Sequence, residues 1–499
     1  MDKIWNKVSY HAHLFLFWGL CSTAPGFTSP DPFPPQIEKA YQQILALKIE
    51  EGRKILNSQS QKDIPSFHYV TNLAEVLELL ITEDPSLYKT YQNHEKERLA
   101  FYRELSATQP YRNFYLAEIK LSWAFVKLKF GEEFSAAWAF RQAYKLIHDN
   151  TQIFPDYVSN NKTLGLLHVI IGSIPEKYQW FVNLMGMEGS MDQGVDELTL
   201  LTQTPNTFQQ EALLLVSIIK AYLLQEHQLA MNQLDQFYQQ HPGHYLAAYL
   251  YISVAMKNHA SERALMLLRD LNHGEDGYLK FPYLEYLKGE IFLQKGRYDS
   301  ALYSYGRFLN SFKGQNLIKD THYKIFLSYW LDGDKNRADS MYLAARKQGL
   351  KNAEADRHAH QQLRNPYPHT QLMRIRLLTD GGYYQEADEL INQLNPTLFE
   401  TIRQSTEFIY RQARLFHLQQ LLPQATNKYL TTIAMSIDNS WYFAPNSALQ
   451  LGYIFRDQGD EIQARQYFEK ALSYKKHVYK NSIDNKARSA LASLERNNH

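Results

Sequence analysis

The sequence predicts an all-α fold, an α-solenoid of paired helices, and three observations carry that prediction. Alanine recurs twelve residues after a small or apolar anchor at eight places, and glycine follows the anchor by seven residues at five of them. Most anchors also step along the chain by the length of one helical hairpin. They stand at 124, 218, 252, 289, 326, 375, 413 and 452, so the gaps are 94, 34, 37, 37, 49, 38 and 39 residues.

Composition agrees. A chain of 499 residues is too long for one ordinary core of about 100–200 residues, so it is either several domains or a stack that grows by repetition. With 22 Gly and 18 Pro it lacks the turns of an all-β fold. The 35 Tyr and 26 Phe suit helix-on-helix packing and leave phenols for surfaces. The net charge of +1 gives none of the basic excess common in nucleic-acid binders, so no nucleic acid is expected as a partner.

Residues 1–26 read as an export signal. Lys3 and Lys7 precede a short apolar run, Leu14, Phe15, Leu16, Phe17, Trp18, Gly19 and Leu20, and the small residues Ser22, Thr23, Ala24 and Gly26 follow. The run is too short to span a bilayer but fits a signal core. The other reading is an ordinary buried helix, which Pro25, Pro30, Pro32, Pro34 and Pro35 would stop at once. Cys21 is the only cysteine and ends the run. It is a lipidation candidate, although Trp18-Gly19-Leu20 fit a small-residue lipobox poorly; removal with the signal is the alternative. The mature body then has no cysteine for a disulfide. Export places the protein in the periplasm or at an outer membrane, with membrane association by a lipid anchor only.

A Pro-rich linker at 27–35 leads into divergent helical hairpins over 36–210. Ile37, Ala40, Tyr41, Ile44 and Leu47 recur at helical spacing, as do Leu73, Val76, Leu77 and Leu80 before Pro85, and 36–107 reads as three amphipathic helices. A repeat-like unit at 117–145 carries Ala124, Ala136 and Phe140. In the irregular stretch that follows, a helix is expected around 162–171, a second from Ile174 to near Gly186, and a third to about Leu201. Tyr178, Trp180, Phe181, Met185 and Met187 either form a bulge facing a partner or membrane, or pack inward as core.

The repeat array is read over 211–475. Gly289, Ala301 and Tyr305 keep the full spacing, as do Gly452, Ala464 and Phe468. The looser sets are Ile218/Ala230/Leu234, Ile252/Ala264/Leu268, Phe326/Ala338/Tyr342, Ile375/Ala387/Ile391 and Ala413/Ala425/Tyr429. The turn glycines are Gly131, Gly296, Gly333, Gly382 and Gly459, where positive φ would end one helix and start the next. An extra segment at 350–368 holds Glu354, Asp356, His358 and His360, with His369 just after it. Histidines two apart face different sides of a helix, so a solvated polar helix is expected rather than a metal site. The stretch 476–499 reads as a C-terminal capping helix and tail, with Ala487, Ala490, Leu491 and Leu494 on one face.

Leu287-Lys288-Gly289-Glu290-Ile291-Phe292 with Gly296-Arg297-Tyr298-Asp299-Ser300-Ala301, and Leu451-Gly452-Tyr453-Ile454-Phe455 with Gly459-Asp460, resemble the tetratricopeptide repeat family. The resemblance implies a right-handed superhelix of an exported bacterial member. The tryptophan expected early in the unit is missing throughout. It also implies that first-helix residues at unit positions 2, 5, 9 and 12 line a concave groove. Position 5 falls on Tyr249, Tyr286, Tyr323 and Tyr410, and Arg376, Arg414 and Arg456 fall at positions 9 or 12 of the last three units. Such a strip would suit an extended peptide with an acidic group or free carboxylate. The other reading is that the tyrosines pack between units and the arginines are solvated.

The sequence carries no phosphate-cradling glycine loop, no G-x-S-x-G elbow and no H-E-x-x-H. The expectation is therefore a non-catalytic scaffold without cofactor or metal, binding a protein or peptide. The alternatives are a ligand-binding lipoprotein of an outer-membrane nutrient system and an α/α-toroid carbohydrate-active enzyme with paired carboxylates in a deep cleft.

Overall fold

Each of the eight anchor–alanine pairs lies on two helices joined by a short turn. The hairpins are Pro110–Lys129 with Glu133–Ile153, Gln209–Tyr222 with His227–Gln240, Tyr245–Lys257 with Ser261–Asp270, and Tyr283–Gln294 with Tyr298–Ser311. They continue as Ile318–Asp332 with Lys335–Lys347, Thr370–Gly381 with Tyr384–Gln393, Ile402–Leu418 with Leu422–Met435, and Phe443–Asp457 with Glu461–Ser473. In this computed structural model the described residues are 33–174, 178–271, 277–395, 397, 399–436 and 439–496. The expected signal segment and Cys21 lie outside them.

The spacing works as the sequence implies. Ala136, Ala230, Ala264, Ala301, Ala338, Ala387, Ala425 and Ala464 are all fully buried, because only a methyl fits where the paired helices cross. At Gly289 a Cβ would lie 2.6 Å from the Tyr305 ring, and at Gly452 2.5 Å from the Phe468 ring, so the bulky residue of the second helix occupies the space of the missing side chain. The fold is a tetratricopeptide-like, all-α array of helical hairpins.

The turn is more regular than the glycines that announced it. Gly131, Gly296, Gly333, Gly382 and Gly459 have positive φ, and the same place in the other three repeats is held by Gln225, His259 and Gln420 at φ 64, 56 and 60°. A non-glycine residue is disfavoured there by about 1–2 kcal/mol. Glycine's greater unfolded-state entropy offsets part of the gain from replacing it. Gln420→Gly, at an exposed turn, is therefore expected to raise stability by up to about 1 kcal/mol in a urea titration; a loss of stability would contradict the turn assignment.

The N-terminal block departs from expectation. Residues 36–107 form five helices rather than three: Pro35–Leu45, Ile49–Asn57, Pro65–Thr82, Pro85–Tyr91 and His94–Glu104. Pro65 and Pro85 each open a helix at its first turn, where the missing N–H is harmless, and Leu47 and Glu83 turn the chain at φ 64 and 49°. Asp84 caps the fourth helix by accepting the Ser86 N–H at 2.9 Å.

The irregular stretch forms Asn160–Ser173, the short helix Gln179–Leu184, and Met191–Gln203. Its first and third helices approach almost to backbone contact. A Cβ on Gly172 would lie 2.2 Å from the Met191 nitrogen, and one on Gly194 2.3 Å from the Gly165 oxygen. The extra segment forms Glu354–Gln362, but it is not simply a solvated polar helix. Asp356 is fully buried and accepts the backbone N–H groups of Leu317 and Asp320 at 2.7 and 2.9 Å, capping Ile318–Asp332, two helices back in the chain.

The chain divides into two compact units. The first comprises residues up to Ile291 with Asp299–Tyr329 and Asp334–Asn365; the second comprises Phe292–Tyr298, Trp330–Gly333 and Pro366 onward. Within the first unit the chain returns to its start. Leu279 donates its N–H to the Leu47 carbonyl at 2.7 Å, Lys313 pairs with Asp84 at 2.6 Å, and Asn316 donates to Glu83 at 2.6 Å. In the second unit each hairpin packs on the next, and Lys480–Arg496 covers the last one with Ile483, Ala487, Ala490 and Leu494. Among the described residues no helix is long and apolar enough to cross a membrane.

Candidate binding site

The first-helix tyrosines of the first unit are interior groups. Tyr249, Tyr286 and Tyr323 are all buried. Tyr249 packs on Phe281 and Tyr283 with ring centres 4.9 and 5.8 Å away, and Tyr323 packs on Phe326 at 5.8 Å. The Tyr286 hydroxyl donates to Asp320 at 2.6 Å and accepts from Lys324 at 2.7 Å. Lys324 also pairs with Glu290 at 2.5 Å and Asp320 at 2.8 Å, while the Tyr305 hydroxyl donates to Glu290 at 2.5 Å. Lys324 thus binds two carboxylates and the Tyr286 phenol directly, and Tyr305 joins through Glu290, between neighbouring hairpins.

A second cluster of the same chemistry lies deeper. Lys162 is fully buried and pairs with Glu118 at 2.9 Å and Glu211 at 2.8 Å. Its ammonium also donates to the Tyr69 hydroxyl at 2.7 Å and sits 4.1 Å from the centre of the Phe208 ring. Tyr41 donates to Glu211 at 2.5 Å, and Thr163 donates to Glu118. Five helices therefore meet on one lysine. The sequence offered no signal for it, because residues 41, 69, 118, 162 and 211 share no local spacing.

Two carboxylates against one ammonium leave a surplus negative charge in a dry site. Burial, only partly offset by Lys162 and reinforced by Glu118, pushes the Glu211 carboxyl up to about 7. The folded state then holds this proton more tightly than the unfolded chain does. Its contribution to stability is full below the ordinary value of 4.5 and is lost as pH rises through about 7. Glu211→Gln keeps hydrogen-bonding capacity without the charge, so melting temperature should fall less steeply across that window in the variant than in the parent. Equal slopes would contradict the upward shift of the Glu211 carboxyl.

The second unit arranges its charges differently. Its successive first helices, Thr370–Gly381, Ile402–Leu418 and Phe443–Asp457, carry Arg376, then Tyr410, Arg411 and Arg414, then Asn446 and Gln450, while Tyr442 stands just before the third and Tyr479 just before Lys480–Arg496. Arg411 pairs with Glu407 at 2.6 Å and donates to the Tyr442 hydroxyl at 3.0 Å. Arg414 donates to the Gln450 side chain at 3.1 Å, and Arg376 meets Asp380 at 3.5 Å. Tyr410 is buried against Phe443 and Tyr442, with ring centres 5.4 and 5.7 Å away, and accepts a hydrogen bond from Asn446. Tyr442 in turn meets the Tyr479 ring edge-on at 5.2 Å.

Burial opposes charge on all three guanidiniums. Tyr442, Glu407 and Tyr410 hold Arg411 in the charged form despite it, and Tyr429, Tyr410 and Asp380 do so for Arg414. Burial, with the neighbouring Arg414 cation, depresses His417 to about 4 and keeps it neutral. Among the described residues, three guanidiniums therefore face two carboxylates, Asp380 and Glu407, leaving one positive charge uncompensated. Arg411 is only 7% exposed, yet its Nε–H has no hydrogen-bond partner among the described residues. Arg376 keeps 31% of its side chain open to solvent. Such an arrangement can accept the two oxygens of an anion in guanidinium forks.

The structure thus brings Tyr410, Arg376 and Arg414 together and adds Arg411, which sequence reasoning missed because unit position 6 was not expected to face the groove. Tyr249, Tyr286 and Tyr323 belong to the first unit's interior. Arg456 is exposed and engages Asp457 at 2.8 Å and the Tyr453 ring at 5.0 Å. In the irregular stretch, Met187 is buried while Trp180 is exposed. Among the described residues no group of His, Cys, Asp and Glu is arranged to hold a metal ion.

No protein-family model and no curated protein sequence matches the chain. Among solved structures, a monomeric IFIT1 mutant with Gppp-AAAA is similar at 13% identity and a TM-score of 0.34, covering 93% of this chain and 99% of that one. The human IFIT1 dimer with PPP-AAAA follows at 13% identity and a TM-score of 0.31, over 92% and 98% of the two chains. The likeness is one of loose helical architecture. The expectation that nucleic acid is excluded as a partner is corrected: these solved structures hold Gppp-AAAA and PPP-AAAA, and the net charge of +1 on which the exclusion rested says nothing about a local cluster of arginines.

Proposed function

We propose that this protein is a binding scaffold and that the arginine–tyrosine strip of its second unit holds the carboxylate of an acidic peptide segment. The observation that carries the reading is the uncompensated guanidinium charge together with the buried, unpartnered Nε–H of Arg411. One surplus positive charge matches a monoanion, and the flanking Tyr410, Tyr442 and Tyr479 supply apolar area with polar tips for the adjoining chain.

The test is an array of acidic peptides, their amidated counterparts, and RNA oligonucleotides bearing 5′-triphosphate or 5′-hydroxyl ends, probed with the full chain. Retention on acidic peptides, weakened roughly tenfold or more by Arg414→Gln, is expected from the loss of a charge-assisted bond. Retention on RNA alone, or retention on peptides that is indifferent to Arg414→Gln, would overturn the proposal.

A further inference from the structure

Resting on the carboxylate reading above, we infer that Glu407, with Asp380, sets the valence of the anion this strip accepts: the two carboxylates tune it to a single negative charge, so that a peptide carboxylate is held in preference to a peptide phosphate. Both carboxylates stand among the arginines. Glu407, Arg411 and Arg414 recur at i, i+4 and i+7 on Ile402–Leu418, which is one face of a helix. Arg376 and Asp380 stand at i and i+4 on Thr370–Gly381. Glu407 pairs with an Arg411 terminal nitrogen at 2.6 Å, and that nitrogen also donates to the Tyr442 hydroxyl at 3.0 Å. Arg411 is thus neutralised from within its own helix. Glu407 keeps 22% of its side chain open to solvent and Asp380 42%, so both border the water from which a ligand arrives.

The charges lie within electrostatic reach of one another. After burial, the largest influences on the Arg376 guanidinium are the Tyr442 phenol and then the Arg411 cation, and Asp380 acts on both Arg376 and Arg414. An anion placed among the guanidiniums therefore feels both carboxylates as well. A monoanion cancels the surplus charge. A phosphoryl group with two charges overshoots it and meets Glu407 and Asp380 as a like charge, which is discrimination by repulsion. Glutamine at 407 would keep the shape and an acceptor oxygen for Arg411 while removing that repulsion. Coulomb energy at fixed geometry is proportional to the charge of the ligand, so a substitution that tightens a carboxylate by some factor tightens a dianion by about the square of that factor. A residue that served only to hold Arg411 in place would change both affinities alike.

The test is fluorescence polarisation of two labelled peptides against the full chain at about pH 8, where phosphoserine carries close to two charges. One is an acidic peptide from the array; the other is its copy with phosphoserine in place of the acidic residue. The parent should hold the first more tightly. Glu407→Gln should tighten the first roughly tenfold and the second roughly a hundredfold, raising the phosphate-to-carboxylate ratio about tenfold. Asp380→Asn, whose carboxylate is more open to water, should move the ratio the same way by a smaller factor, and it keeps the test decisive if Glu407→Gln fails to fold. An unchanged ratio in both variants, or a parent that already prefers the phosphopeptide, would overturn the inference. Failure of the carboxylate reading looks different, because the parent then holds neither peptide. Capture of the phosphopeptide by Glu407→Gln would in that case support the valence role alone, and capture of neither would end both.

Discussion

Lys162→Met is expected to lower the stability of the first unit by about 3–5 kcal/mol, as removal of one partner from a buried ion cluster does. Methionine fills much of the lysine's volume, so little of the effect would come from a cavity. The loss comes from Glu118 and Glu211, both essentially solvent-free and left facing each other without a cation. Desolvation of an uncompensated carboxylate exceeds what the remaining bonds from Tyr41, Tyr69 and Thr163 return. The triple variant Lys162→Met/Glu118→Gln/Glu211→Gln should regain most of the stability, because no net charge is then buried. Urea denaturation distinguishes the outcomes. A loss under about 1 kcal/mol for Lys162→Met would mean that water reaches the cluster and that its burial is misread.

A comparable effect is expected at the glycine-packed helices. In an exposed helix Gly→Ala gains about 1 kcal/mol of helix propensity. At Gly172 the added carbon would meet the Met191 nitrogen at 2.2 Å and the Ser190 carbonyl carbon at 2.7 Å, and at Gly194 it would meet the Gly165 oxygen at 2.3 Å and the Val169 nitrogen at 2.6 Å. Backbone cannot rotate away as a side-chain tip can, so the two helices must separate. Gly194→Val should therefore cost about 3 kcal/mol or more and loosen the segment on which Trp180 and Leu184 stand. Amide exchange over 160–203 should rise before the rest of the first unit changes. A stability within about 1 kcal/mol of the parent, with exchange unchanged, would contradict the close approach.

The hairpin array was legible in the sequence because its determinants are local. An alanine twelve residues from its anchor and a reversal at the seventh need only a stretch of sequence shorter than one hairpin. The same reversal at Gln225, His259 and Gln420 was not legible, since the conformation is imposed by the flanking helices rather than by the residue. The count of N-terminal helices failed for a related reason: Pro65 opens a helix as readily as it closes one, and Leu47 reverses the chain without a glycine.

The candidate site was half legible. Position 5 of the repeat identified a helix face, but it could not say what the fold lays over that face. In the first unit neighbouring hairpins close over Tyr249, Tyr286 and Tyr323. In the second unit the equivalent face keeps Arg376 open beside Tyr410 and Arg414. Arg411 escaped notice because its importance lies in what surrounds it, Glu407 four residues earlier and Tyr442 one hairpin later. The Lys162 cluster of the first unit was beyond reach altogether, because Tyr41, Tyr69, Glu118 and Glu211 meet it only through packing of helices distant in sequence.

The arginine–tyrosine strip is the centre of this account, and photo-crosslinking tests it most directly. An acidic peptide selected from the array, carrying a photoreactive phenylalanine next to its carboxylate, is irradiated with the full chain and the adducts are mapped by mass spectrometry. Adducts on the helices that bear Tyr410 and Asn446, lost in Arg376→Gln/Arg414→Gln while the melting temperature of the second unit changes little, are the predicted result; both arginines are partly open to solvent. Adducts confined to the first unit, or unchanged by the double variant, would contradict it.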